Sequence, residues 1–174
     1  MLTTLVIVAL LVVALFVFIS VRPDSFRLER STSITAAPEA VFVLINNFHE
    51  WSKWSPWDKI DPELKRTFSG PASGVGAVYE WAGNNKAGSG RMEITGSVPN
   101  AKITIKLDFL KPFEAHNTAE FTLVREGSAT RVTWAMFGPN NFMAKLMQTF
   151  ISMDKMVGGD FEKGLTSMKA AAEN

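Results

Sequence analysis

The sequence contains no cysteine, which excludes disulfides, thiolate nucleophiles and cysteine-based metal sites. Histidine is nearly as scarce: His49 and His116 are the two present. They sit in unrelated segments with no carboxylate at ligand spacing, so no zinc site is expected. Each reads as a solvated surface residue, with a general base beside a ketone as the alternative. Charge of one sign is also missing, since 18 Lys and Arg stand against 17 Asp and Glu, a net charge of +1. That balance offers nothing to nucleic acid. No internal repeat or low-complexity tract is present, and 174 residues suffice for one well-buried domain.

What is present begins with a long apolar run. LTTLVIVALLVVALFVFISV, residues 2–21, carries no charge, and every charged side chain lies beyond it. As a helix it is about 30 Å long, the thickness of the hydrocarbon core of a bilayer. Arg22 and Pro23 end the run. A cleaved signal peptide is the competing reading, but there is no basic leading region and no A-x-A-like site before Arg22. The expectation is therefore a single-pass anchor over 1–22 in the cell (inner) membrane, followed by a soluble domain over 23–174. Arg22, Arg27 and Arg30 flank the C-terminal side of the run, which by the positive-inside rule leans toward a cytoplasmic domain.

The soluble part alternates in a strand-like way. A first strand is predicted over 26–34, and then EAVFVLINNF (39–48) takes helical spacing after Pro38. WSKWSPW (51–57) is broken by Pro56 and reads as a tight aromatic turn. Strands with period 2 follow over 64–69, 77–82, 90–97, 101–109, 117–124 and 130–137, separated by turn residues. GPASGVG, residues 70–76, lacks the Gly-Lys-Ser/Thr ending of a phosphate loop and leads into a strand, so it too is a turn. From Phe142 the period becomes 3.6, with Leu146, Phe150, Met153, Val157, Phe161, Leu165 and Met168 on one stripe. A run of strands followed by a long amphipathic helix predicts an α+β fold in which a curled antiparallel sheet grips that helix. A hollow is expected near the middle of the helix and the aromatic turn.

Several segments carry a resemblance: ITAAPEAVFVLINNF, WSKWSPWD, SGPASGVGAVYEW, TRVTW and MDKMVGGDFEKGLTSMK. Together they are similar to the START-like, helix-grip (SRPBCC) superfamily, which includes START lipid-transfer domains, the birch-pollen-allergen type and the polyketide cyclase/dehydrase proteins. They look most like a bacterial, membrane-anchored branch of it. The resemblance covers Phe26 to the end and implies the helix-grip fold and a hydrophobic ligand cavity. It maps no catalytic signature onto this chain and implies no cofactor, and members bind, carry, cyclise or sense their ligands.

The residues expected around a ligand follow from the pattern. Ile105, Leu107, Phe109, Phe121, Trp134 and Met136 form the inward face of adjoining strands, core as a class, with a few also lining any hollow. Tyr79, the one tyrosine, points the same way as Trp81; its hydroxyl orients a ligand or makes a structural hydrogen bond. Among Trp51, Trp54 and Trp57, the last two are candidate contacts, either as a rim over the guest or as packing under the sheet edge. The helix offers Met153, Val157 and Phe161. Its Gly158, Gly159 and Gly164 each cost about 1 kcal/mol relative to alanine, so close packing, ligand volume or a kink is expected to offset them. Asp108 is placed outward by alternation. Two functions compete: a non-catalytic carrier or sensor of a hydrophobic small molecule or lipid at the membrane, and a cyclase or dehydratase needing an inward acid or base. A protein-interaction module using the same groove stays open.

Overall fold

The computed structural model describes residues 1–150 and 152–174, except for the side chain of Phe150. The alternating segments become strands β1 (Ser25–Ile34), β2 (Lys65–Ser69), β3 (Val78–Ala82), β4 (Ser89–Val98), β5 (Lys102–Lys111), β6 (Ala115–Glu126) and β7 (Ala129–Pro139). They form one antiparallel sheet in the order β1-β7-β6-β5-β4-β3-β2. Each turn between neighbours is short, which is why β3 to β7 pair in sequence; β1 alone closes across the far end against β7. Register shifts in β4 at Ser89/Gly90 and Ile94/Gly96 bend the strand and curl the sheet.

Helix α1 covers Leu2–Ser20 and is long and apolar enough to cross a membrane. Helix α2 (Pro38–Asn46) starts on its proline and buries Val41, Leu44 and Ile45. Two 3-10 turns follow, Phe48–Lys53 and Pro56–Lys59, where the aromatic turn was expected. The Trp51 and Trp54 indoles donate to the Ile45 and Leu44 carbonyls at 3.0 and 2.8 Å, satisfying orphan groups at the end of α2.

The expected single C-terminal helix is instead two. Helix α3 (Phe142–Phe150) is followed by a second helical run that begins at Met153 and passes through a wide π turn at Asp154–Gly158 into helix α4 (Gly159–Glu173). Only α4 lies in the grip of the sheet, burying Phe161, Leu165 and Met168. Phe161 stacks on Trp134 with ring centroids 4.1 Å apart and planes within 12°. Gly164 permits this approach: a Cβ there would stand 2.8 Å from the Trp134 ring and 3.2 Å from Pro56. Gly158 faces the Arg30 guanidinium just as closely, whereas a Cβ at Gly159 would meet nothing within 4 Å, so close packing accounts for two of the three glycines.

Helix α3 leaves the sheet and packs on α1, with Phe142 5.4 Å from Phe16. Its most buried described residue is Lys145, paired with Asp24 and the Ser20 carbonyl, while Leu146 is only half-buried. Phe150, part of the expected stripe, has its side chain outside the described residues. The apolar period continued through the break without a mark, because a stripe facing a neighbouring helix and one facing a sheet share the same spacing.

Candidate ligand cavity

Between the sheet, the second 3-10 turn and the start of α4 the chain encloses a cavity of about 150 Å³. The hollow follows from side-chain choice on neighbouring strands. Register places Tyr79 opposite Met92, Met92 opposite Leu107 and Met136 opposite Ala119, so a small residue interrupts a wall of large ones. Ala87 and Ala119 fall short of the centre, and Gly90 lets the Trp81 ring lie flat on the β4 backbone. Trp81 is held there by its indole N–H, which donates to the Ala87 carbonyl at 3.2 Å.

Nine of the twelve residues expected around a ligand line this space. Trp57, Tyr79 and Trp81 stand on one side, Leu107, Phe109, Trp134 and Met136 on the sheet floor, and Val157 and Phe161 on the helical side. Trp54 and Phe121 do not: each is 1% exposed or less and sits behind the wall, with rings 5.9 Å apart edge to face. The Trp54 N–H bond to α2 pins it into the core, and Phe121 stacks on Trp134 from the side away from Phe161. Met153 also stands outside the lining, because the π turn brings Val157 rather than Met153 to the wall. The three tryptophans of the turn therefore divide: Trp51 and Trp54 are packing, Trp51 touching the cavity as well, while half-buried Trp57 borders it.

One corner is polar. Asp58, in the second 3-10 turn, accepts from Tyr79 Oη at 3.2 Å and from Arg66 Nε at 3.1 Å, and its carbonyl accepts from Arg66 Nη2 at 2.8 Å. Asp58, Tyr79 and Ser55 all face the hollow. Burial, reinforced by the Asp58 charge, pushes the Tyr79 phenol up to about 12, so it stays protonated at neutral pH and keeps its one O–H on Asp58. Sequence reading missed Asp58 and Ser55 because they lie in a segment with no period. The Asp-Tyr-Arg convergence comes from strand pairing of β2 with β3, Arg66 opposite Trp81 and Phe68 opposite Tyr79.

A second polar feature lies on the floor. Trp134 Nε1 is buried and, among the described residues, has no hydrogen-bond partner. The indole cannot turn to find one, since Phe161 and Phe121 stack on it at 4.1 and 5.0 Å.

The two histidines lie elsewhere, both exposed as expected. His49 stacks on Phe68 with centroids 4.1 Å apart. His116 Nδ1 meets Asp108 Oδ1 at 2.8 Å across β5 and β6, on the outer face of the sheet. Asp108 points outward as predicted, yet is only 8% exposed because His116 and Lys106 cover it. Its hydrogen bonds to them outweigh burial and hold its carboxyl below the usual range, while the bond to Asp108 raises His116 above 6.5. Among the described residues no group of three His, Asp or Glu side chains is placed to hold a metal.

The family model for polyketide cyclase/dehydrase and lipid transport matches residues 25–173. The chain belongs to that family. The match begins at β1 and ends within α4, so it takes in the whole sheet, the cavity and the gripped helix. Solved structures give the same fold at low identity. The major latex-like protein 151 of Panax ginseng superposes with a TM-score of 0.61 at 15% identity, over 87% of this chain and 100% of its own. Protein CV1439 of Chromobacterium violaceum gives 0.59 at 15%, over 88% and 99%. The Aha1 protein of Colwellia psychrerythraea, solved as a dimer, gives 0.58 at 18%, over 85% and 96%. No curated protein matches the sequence.

Proposed function

We propose that residues 23–174 bind a hydrophobic small molecule in the cavity, as a carrier or sensor, and that residues 1–22 hold the domain at a membrane. The observation that carries the reading is an apolar hollow with a hydrogen-bonding corner, Asp58 with Tyr79. A space of this size takes a six-membered ring or a short branched chain. The occupant is then compact, or it is a longer lipid that inserts one end while the wall near Val157 yields. Its oxygen meets the Tyr79 hydroxyl, and a second acceptor would satisfy the stranded Trp134 N–H. The test is native mass spectrometry of the chain gently extracted from membranes. An apolar compound bound to the wild type and lost from Ala119→Leu, which fills the hollow, is the expected result. Repeated absence of any bound compound, together with no uptake of added lipid, overturns it.

A second reading, a cyclase or dehydratase, draws on one observation: a carboxylate and a phenol, Asp58 and Tyr79, meet at the cavity wall. Tyr79 would polarise a ligand carbonyl by turning its one O–H from Asp58 to the ligand, with Arg66 left holding the Asp58 carboxylate. Under that reading Tyr79→Phe keeps the bound compound but stops its conversion. Under the carrier reading no conversion is seen in either protein.

A further inference from the structure

The break in the C-terminal helix puts α3 in a place that the cavity does not explain. The last turns of α1 and the segment 20–24 are clamped to α3 and the residues before it. Phe16 packs on Phe142, Ile19 is 2% exposed, and Asn140 N donates to the Asp24 carbonyl at 2.7 Å. Lys145 pairs with Asp24, and Arg22 Nη1 donates to the Gln148 carbonyl at 3.4 Å. Helix α3 is thus fixed beside the final turns of α1.

Phe16 lies four residues before the end of α1, about 6 Å in from it. Amphipathic helices at a membrane surface bury their apolar face about 5–10 Å into the headgroup boundary. Helix α3 turns such a face outward, with Phe142 46%, Met143 53% and Met147 39% exposed. The end of β5 and the β5–β6 turn add Leu110 and Phe113, 54% and 64% exposed. That turn stands at the same end of the sheet as the start of β1, because Ser25 pairs with Pro139 and Phe137 pairs with Thr118 near the start of β6. Phe109, Trp81 and Met136, on the cavity wall, lie near the strand ends at this same pole.

We propose that α3 and the β5–β6 turn seat in the surface of a lipid bilayer, so that the cavity end of the domain faces the lipid from which its occupant comes. The inference rests on reading α1 as a membrane span. A soluble domain tethered only by a flexible linker has no reason to present five large apolar side chains at its tethered end.

The absence of cysteine makes the test direct. Single-cysteine variants Met143→Cys and Phe113→Cys are compared with Val98→Cys and Val124→Cys, which are 55% and 54% exposed at the opposite pole. Each full chain, labelled with an environment-sensitive nitrobenzoxadiazole dye, is reconstituted into phosphatidylcholine–phosphatidylglycerol vesicles doped with nitroxide lipid. Labels at 143 and 113 are expected to be quenched several-fold more than those at 98 and 124. Equal quenching at all four sites, or none at 143 and 113 in chains that float with the vesicles, overturns the proposal. Chains that do not float at all remove the membrane span and the docking surface together. None of these outcomes depends on the cavity, whose occupancy is read separately by mass spectrometry.

Discussion

The two halves of the interior are built differently although one sheet covers both. Toward the turn between β6 and β7, Ile34, Val41, Ile45, Ile103 and Val132 are each 0% exposed and belong to the continuous apolar core. Toward the other pole Tyr79, Trp81, Phe109, Trp134 and Met136 surround the hollow. Branched aliphatic side chains have few rotamers and interdigitate from several directions, so they close a space completely. Flat rings separated by Ala87, Ala119 and Gly90 cannot bend into the gaps between them. The lesson is that a cavity here is specified by residue shape along a continuous sheet, with no change of fold.

The largest test of that contrast truncates one residue in each half. Ile103→Ala removes a side chain with neighbours on every side and is expected to cost about 3–5 kcal/mol in chemical denaturation. Met136→Ala removes atoms that already border empty space and falls near the low end of the range, about 2 kcal/mol. Equal losses would break the comparison. A finer test concerns the two indoles on either side of the wall. Trp54→Phe strands the Leu44 carbonyl and leaves a gap, costing about 1–3 kcal/mol beyond the lost area. Trp134→Phe removes an N–H that has no partner among the described residues and should cost clearly less, yet weaken retention of the bound compound. Unfolding measured with and without ligand separates the two. The smallest effect lies outside both halves. Because His116 is raised above 6.5 by its bond to Asp108, its stabilising contribution is present below that value. It is lost as pH rises through the folded value. The Tm gap between wild type and His116→Gln should be open at about pH 5.5 and closed by about pH 9. A gap that widens with pH would reverse the assignment.

Strands were legible where period 2 survives, most clearly in β5 and β6, down to the outward placement of Asp108. The cavity floor was legible for the same reason. Three kinds of information were not. The break between α3 and α4 leaves the apolar stripe in phase, so nothing local signals a change of partner. Trp54 and Trp57 look equivalent at a spacing of three, which a 3-10 turn would stack on one face. Pro56 instead starts a second turn and sends Trp57 to the cavity. The pairs Asp58–Tyr79 and Asp108–His116 form between residues 21 and 8 apart in the chain; strand register brings the second together, and the packing of the second 3-10 turn against β3 the first.

The order of strands leaves two open borders, and the chain treats them unequally. β2 is five residues long, exposed throughout, and carries Lys65 and Arg66, a combination that discourages another chain from adding on. β1 is twice that length, but its border is occupied from within: Lys169 of α4 donates to the Ser33 carbonyl at 3.0 Å, and Glu173 accepts from Thr35 N at 2.6 Å. The gripped helix therefore also works as a guard rail, and fraying its last turn would expose a template for aggregation before it disturbed anything in the interior.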